Sequence, residues 1–322
     1  MSLFSIGNSS KNNKNSSAIT SIISMVIVVV ILVVFIKNGN VDDLLSLVSF
    51  DDISNYTNDY EGNDLVIRYL DVGQTDSVLI HLPNDENMII DAGNTETLKY
   101  LDEYNIGTID YMIMTHPHSD HIAGMAKVME KCSVRKIYMP EIADDLLPTT
   151  KVFENFLDTA DRLGIDVNEI RRDEKIVDGG GLTVETLAPN RLDYSDLNDS
   201  SIVTRLQFGN NVFIFSGDAE GISEKEILER YPADFLKADV LMCGHHGSSS
   251  SSTAEYLAVV KPEYAVISCG EGNKYGHPTP ETLKRLKDIN AKIYRTDLNG
   301  TVTCTSDGKT VTFNVEKGSY SR

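Results

Sequence analysis

Three of the seven histidines lie in one short run, Thr115-His116-Pro117-His118-Ser119-Asp120-His121. The run follows the apolar segment Tyr111 to Met114, which predicts a β-strand, and a loop at a strand end can direct several side chains to one point. His116 and His118 are spaced to reach one metal ion, and Asp120 with His121 can turn to a second ion. Chance histidines on a solvated turn seldom cluster around an aspartate. The run therefore predicts a metal site.

Two later apolar segments are also followed by aspartate or histidine. Asp218 follows the apolar run Ile214-Phe215, and His245 with His246 follows the apolar run Val240 to Cys243. Taken alone, an aspartate such as Asp218 is more often a turn residue. Beside the histidine run, it becomes a candidate metal ligand.

The pattern H-x-H-x-D-H after a strand resembles the signature of the metallo-β-lactamase superfamily. The resemblance narrows to the hydrolase domain of the ComEC/Rec2 competence proteins and spans about Leu65 to Val315. One departure is Thr75, where that family usually has glycine. The stretches that carry the narrower resemblance are Leu70 to Asp76, Ile89 to Asn94, Gly217 to Glu220, Gly244 to Ser248, and Tyr275 to Pro278.

The resemblance implies a fold and a set of roles. The fold is α/β, a four-layer αβ/βα sandwich. Asp218 would bridge two metal ions, and either His245 or His246 would be the last ligand of the second ion. Asp71 and Asp91 would hydrogen-bond to the metal ligands and orient them. The metal ligands implied are His116, His118, Asp120, His121, Asp218 and His245, with Asp120, Asp218, His246 and His277 taking part in catalysis.

A missing histidine distinguishes this chain from zinc β-lactamases, glyoxalases and lactonases, which use a further histidine before the bridging aspartate. No histidine lies between Ile122 and Gly244. We therefore expect the first ion to have an open position, with Asn198 or Asp199 as a weak substitute ligand. This favours phosphoester hydrolysis, in which two ions hold the attacking and leaving oxygens.

The expected cofactors are two divalent ions, zinc first and manganese second, because the ligand set mixes histidine and aspartate. They would lower the pKa of a water towards roughly 7 and so supply hydroxide at neutral pH. His246 or His277 would then stabilise or protonate the departing group.

Charge limits the choice of substrate. The formal charge is −19, and it is still about −16 after the three lysines and six acidic residues that precede Asp64 are left out. A polyanion such as DNA is repelled by such a surface except close to bound metal ions. A phosphodiesterase or nuclease is the first expectation, and a cell-wall or teichoic-acid phosphoesterase, or another ester hydrolase, is the rival. A catalytically silent surface-binding domain is the competing class, and its mark would be lost ligands.

The N-terminal part predicts a membrane anchor. Residues 1–17 are a polar tail, residues 18–36 carry no charge over a length that just spans a hydrocarbon core, and residues 37–63 form an acidic linker. Lys11 and Lys14 precede the span and aspartates follow it, which favours an extracytoplasmic domain at 64–322. The expected partners are the membrane and a phosphoester substrate, with DNA as one candidate.

From Leu65 onward, strand-like runs alternate with helical patterns, which is typical of an α/β domain with mixed sheets. Four helices are predicted: Thr150–Leu163, Ser223–Arg230, Thr253–Val260 and Pro280–Ile289. The four cysteines are scattered in apolar runs, which predicts buried thiols rather than disulfides.

Overall fold

Two β-sheets dominate the computed structural model, which describes residues 64–321. The strands are β1 Leu65–Tyr69, β2 Val78–His81, β3 Asn87–Ile90, β4 Thr108–Ile113, β5 Ser133–Pro140, β6 Val167–Ile170, β7 Lys175–Gly179, β8 Leu182–Ala188, β9 Val203–Phe208, β10 Asn211–Phe215, β11 Val240–Met242, β12 Tyr264–Ile267, β13 Lys292–Arg295, β14 Val302–Ser306 and β15 Val311–Val315.

Helices connect these strands. They are α1 Thr97–Glu103, α2 Ser119–Ile122, α3 Met125–Lys131, α4 Lys151–Leu163, α5 Gly221–Arg230, α6 Ala233–Leu236, α7 Ala254–Val260, α8 Pro280–Asp288 and α9 Thr296–Asn299. The side chains of Thr150, Thr253 and Thr279 cap the N-termini of α4, α7 and α8 by accepting a hydrogen bond from a backbone N–H. The four predicted helices are thus confirmed to within two residues at their ends.

The first sheet has eight strands in the order β15-β14-β1-β2-β3-β4-β5-β6, and the second has seven in the order β13-β12-β11-β10-β9-β8-β7. Strands β3 to β6 are parallel, and so are β10 to β13, whereas the remaining pairs are antiparallel. Helices cover the parallel part of each sheet, as βαβ connections require.

The hydrophobic core has three parts. Along β2, Val78 and Ile80 face the core between the two sheets, while Leu79 faces the core between the first sheet and its helices, because side chains alternate along a strand. Helix α4 contributes Phe153 and Phe156 to that outer core. A third cluster lies between the second sheet and helices α5 to α8. The layers therefore run helix, sheet, sheet, helix, which confirms the predicted sandwich.

The predictions for the cysteines and for the membrane anchor have different outcomes. All four cysteines are free and buried, as predicted. Within residues 64–321, no helix has both the length and the apolar composition to cross a membrane. The predicted tail at 1–17, anchor at 18–36 and linker at 37–63 lie outside the described residues.

The sheet topology brings six loops to one place. Strands β1, β3 and β4 point the same way in the first sheet, and β10, β11 and β12 do so in the second. Ligand sites in α/β sheets form beyond the carboxyl ends of such strands. The segments that follow these six strands carry all the histidines of the candidate site described below and the carboxylates that contact them.

Glycine at position 93 permits two of these loops to touch. A Cβ at Gly93 would lie 1.8 Å from the carbonyl oxygen of Asp120 and 2.6 Å from the Cβ of Thr75. Gly93 also donates its N–H to the carbonyl of Asp76, so the backbone cannot retreat without losing that bond. The loops that carry Asp76 and Asp120 are therefore held against Gly93.

We predict that Gly93→Ala lowers the free energy of unfolding by about 1–3 kcal/mol or more, because the added methyl group overpacks this contact. Gly107→Ala is the matched control, since no atom lies within 4 Å of the Cβ it would add. It should change the free energy of unfolding by less than about 0.5 kcal/mol. Urea denaturation of both variants measures the difference, and equal effects would contradict the proposed contact.

Candidate metal centre

The histidine run begins two residues after strand β4 and continues into the short helix α2. His118 is the N-cap residue of α2, and His121 lies within the helix. His116 and His121 are completely buried, and the Nε2 of His116 lies 2.9 Å from the Nδ1 of His118. The strand end and the single helical turn thus direct three imidazoles into one volume.

Asp218 lies at the centre of this volume, in the loop after β10. Its carboxylate is buried, and each of its oxygens faces a different pair of imidazoles. The Oδ2 atom lies 3.9 Å from the Nε2 of His116 and 3.7 Å from the Nε2 of His245. The Oδ1 atom lies 3.3 Å from the Nε2 of His121 and 3.8 Å from the Nε2 of His246. Asp218 therefore has two distinct sides.

The consecutive residues His245 and His246, after β11, lie on opposite sides of Asp218. His245 and His246 both have a positive φ, 50° and 53°, which is uncommon for residues other than glycine. Such conformations cost on the order of 1–3 kcal/mol each, and they concentrate at functional sites. This backbone directs the ring of His245 towards Oδ2 of Asp218 and the ring of His246 towards Oδ1.

Each of three histidines has a second polar partner on its other ring nitrogen. The Nδ1 of His121 lies 2.7 Å from Oδ2 of Asp91. The Oδ1 of Asp91 accepts the backbone N–H of Thr115, and its Oδ2 accepts the hydroxyl of Thr115. The Nδ1 of His245 lies 2.8 Å from Oε1 of Glu220. In the neutral ring, a proton on Nδ1 would donate to these carboxylates and leave the lone pair on Nε2, the atom that faces Asp218.

The third of these histidines is His246. Its Nδ1 lies 3.1 Å from the carbonyl oxygen of Ser268 and 3.2 Å from Oδ1 of Asp76. Its Nε2 lies 3.6 Å from Oδ2 of Asp120, in addition to its contact with Asp218. His246 is buried, and its Nδ1 is held by Ser268 and Asp76 while its Nε2 faces Asp120 and Asp218.

The charges of the site are strongly coupled. Burial alone would raise the pKa of Asp218, but His121 and His246 outweigh it and hold this pKa below its ordinary value. Burial alone would lower the pKa of His121, but Asp218 and Asp91 outweigh it and raise this pKa. His116 has a lowered pKa, because burial and the neighbouring His121 both disfavour its charged form. The carboxylate of Asp218 is thus ionised at the centre of the site, where its negative charge favours cations.

Several atoms at this centre have no hydrogen-bond partner although they are buried. They are the Nε2 atoms of His121 and His246 and the Oδ1 of Asp218. Leaving a buried polar atom unpaired costs about 1–3 kcal/mol, so these atoms require a further partner. The ligand atoms of His116, His121 and Asp218 lie within 4.8 Å of one another, and so do those of Asp120, His121 and His246. Imidazole and carboxylate donors in this arrangement fit divalent metal ions.

A polar cavity of about 320 Å³ opens onto the centre. His277 lines it, with its ring perpendicular to that of His245 at a centroid separation of 5.4 Å. Burial, followed by the neighbouring His245, lowers the pKa of His277. Besides the predicted histidines and aspartates, the cavity is lined by Gln74, Ser119, Asn198 and Tyr275.

Most of the residues singled out from the sequence lie together around this cavity, with two exceptions. The carboxyl of Asp71 is partly exposed near Lys317 and has no contact with the histidines, whereas Asp76, five residues later, contacts His246. Asp199 accepts hydrogen bonds from the backbone N–H groups of Glu220 and Ser223 at the start of α5. Asp199 therefore stabilises the start of helix α5. The side of Asp218 at which Asn198 or Asp199 was expected as a substitute ligand is occupied by His245.

Sequence reasoning missed the supporting residues Asp76 and Glu220. Both belong to stretches that carry the family resemblance, Leu70 to Asp76 and Gly217 to Glu220. A carboxylate close to a ligand run in sequence was the only available signal. Which histidine each carboxylate serves depends on how the loops cross, and residue spacing does not contain that information.

A family model covers the segments that carry the histidines and aspartates of the site up to His246. The model described as the metallo-beta-lactamase superfamily matches residues 70–271. Among curated proteins, the chain is similar to ComE operon protein 3 of Bacillus subtilis, with 28% identity over 77% of this chain and 34% of that protein. It is also similar to competence protein ComA of Neisseria gonorrhoeae, with 29% identity over 74% of this chain and 32% of that protein. The chain thus spans about a third of these relatives.

Solved structures share the fold. The metallo-beta-lactamase fold protein YhfI of Bacillus subtilis matches 78% of this chain and all of its own, with a TM-score of 0.51 at 13% identity. The diiron beta-hydroxylase CmlA of Streptomyces venezuelae matches 75% of this chain and 54% of its own, with a TM-score of 0.51 at 16% identity. The family model matches well over half of the chain, so the chain belongs to the metallo-β-lactamase superfamily.

Proposed function

We propose that the chain is a binuclear phosphodiesterase, with zinc as the first expected metal and manganese as the second. The observation that carries the proposal is the division of the imidazoles between the two oxygens of Asp218. One ion would be held by His116, His118, His245 and the Oδ2 of Asp218. The other would be held by Asp120, His121, His246 and the Oδ1 of Asp218.

This assignment differs from the expectation of an open first site. His245 supplies the histidine that the segment between Ile122 and Gly244 lacks, because its Nε2 approaches the same oxygen of Asp218 as the Nε2 of His116. His246, which sequence reasoning also considered as an acid, joins the second set. Asn198 remains at the cavity wall, where its amide lies 3.5 Å from the Nδ1 of His245.

The chemistry assigns a role to each group. When bound, two divalent ions supply an activated water at neutral pH and neutralise charge on the phosphoryl oxygens. Asp218 keeps the two ligand sets at a fixed separation, and Asp91, Asp76 and Glu220 hold the imidazoles in the ligating tautomer. His277 belongs to neither set, and its ring lies at the cavity wall. It is therefore available to hydrogen-bond the departing oxygen.

The cavity favours a small, oxygen-rich substrate. Its wall offers amide, hydroxyl and imidazole groups and no large apolar surface, which suits a phosphodiester better than a β-lactam. The formal charge of −19 disfavours a long polyanion. A cell-wall or teichoic-acid phosphoester remains the rival substrate, and a silent binding domain is disfavoured because the complete ligand cluster is present. We further propose that residues 18–36 anchor the domain outside the cytoplasm.

The metal assignment predicts stoichiometry. Wild-type protein, purified without chelator and reloaded with zinc, should bind up to two ions per chain. His118→Ala and His246→Ala should each lower that number towards one while the circular dichroism spectrum is unchanged, because each removes a ligand from a different side of Asp218. His81→Ala is the matched control, since His81 lies in β2 and pairs with Asn87. Elemental analysis gives the counts, and a wild type that binds no metal refutes the assignment.

The substrate assignment predicts a preference. The metal-loaded protein should hydrolyse bis(p-nitrophenyl) phosphate more efficiently than single-stranded DNA, and any cleavage of DNA should fall steeply as salt is raised. Asp218→Ala serves as the inactive reference, because it removes the carboxylate shared by both ligand sets. Tight, salt-insensitive DNA binding would show that the charge argument is wrong. Inactivity on both substrates with metal bound would favour another ester or the silent domain.

A further inference from the structure

The segment from Gly270 to Pro278 forms one wall of the cavity, between strand β12 and helix α8. It contains no helix or strand, and two of its glycines, Gly272 and Gly276, have positive φ values of 63° and 71°. A nine-residue stretch of this kind has many accessible conformations, so ordering it costs considerable entropy. We call this segment the rim loop.

The ends of the rim loop are tied to the two segments that carry metal-site residues. Gly270 donates its N–H to the Oε1 of Gln74 over 2.9 Å, in the loop that also carries Asp76. Thr279, just after the rim loop, donates its N–H to the carbonyl oxygen of Gly247, the neighbour of His246, over 2.9 Å. These two bonds fix where the rim loop starts and ends relative to the metal centre.

The middle of the rim loop is held by one side chain, that of Asn273. Its Oδ1 accepts the backbone N–H groups of Tyr275 and His277 over 3.2 and 3.1 Å. Its Nδ2 donates to the carbonyl oxygens of Gly270 and His277 over 2.9 and 2.5 Å. The amide of Asn273 thus closes the loop on itself and holds His277 through both its backbone N–H and its carbonyl group.

We infer that Asn273 is the positioning residue that places His277 against the substrate in the metal cavity. The inference rests on the proposed role of His277. Within the rim loop, Asn273 is the side chain with hydrogen bonds to both backbone polar groups of His277. Only an amide meets the need, because the same side chain must accept two hydrogen bonds and donate two. Aspartate has the same shape but would place an oxygen against two carbonyl oxygens.

The test is a double-mutant cycle on zinc-loaded protein with bis(p-nitrophenyl) phosphate. Asn273→Asp should lower kcat/KM by about 10- to 100-fold, because a displacement of about 1 Å in a catalytic group has effects of that order. In the His277→Ala background, Asn273→Asp should change kcat/KM by less than about 2-fold, because its effect passes through His277. Zinc content should stay at the wild-type value. Equal losses in both backgrounds, or no loss in either, would overturn the inference.

Asn168→Asp is the matched control, since Asn168 donates its amide to the carbonyl oxygen of Ile137 in the edge strand β6, far along the chain from the rim loop. It should leave kcat/KM unchanged. If Asn273→Asp does not fold by circular dichroism, Asn273→Ser takes its place in the cycle.

A second readout separates this inference from the proposed function. In zinc-loaded protein with nitrogen-15-labelled histidine, Asn273→Asp should shift or broaden the imidazole resonances of His277 and leave those of His81 unchanged. If the wild type does not hydrolyse the diester, the proposed function fails, and the resonances still decide the inference. Unchanged His277 resonances would contradict it.

Discussion

The carboxylate of Asp218 is buried among four imidazoles, and the rest of the site depends on this arrangement. Moving an ionised carboxylate out of water costs several kcal/mol unless positive charge and hydrogen bonds compensate. The histidines and the divalent ions that the donor set fits supply that charge. The carboxyl ends of strands from both sheets must therefore meet at Asp218, and the topology satisfies this condition because β4, β10 and β11 all end at the same edge of the sandwich.

The backbone of the site is also in an unfavourable conformation. His245 and His246 both occupy the left-handed region, which places two neighbouring side chains on opposite sides of one carboxylate. That conformation is held by the bond from Nδ1 of His245 to Glu220 and by the contact of His246 with Ser268. This chain lacks the histidine that zinc β-lactamases have before the bridging aspartate. The adjacent residues His245 and His246 can instead face the two sides of Asp218. Strain at the site, balanced by polar contacts around it, is a common feature of functional loops.

The sequence predicted the parts of the molecule that local pattern determines. The apolar strands that end in ligands, the amphipathic helices and the histidine run are readable because each is a short-range signal. No strand was predicted at β6, β7, β14 or β15, because these strands lie at or near the edges of the two sheets, where polar residues weaken the pattern. The sequence left open which of His245 and His246 is a metal ligand, for a different reason. The assignment depends on two φ values and on the crossing of loops far apart in sequence, which spacing does not encode.

In the proposed function, Asp218 separates two metal ions and each ion has its own histidines. Anomalous X-ray diffraction from crystals of the zinc-loaded protein, recorded on both sides of the zinc absorption edge, tests it directly. We expect two zinc peaks flanking Asp218, one beside His116 and His245 and the other beside His121 and His246. One zinc peak, or two peaks on the same side of Asp218 with His245 bound to no ion, would contradict it.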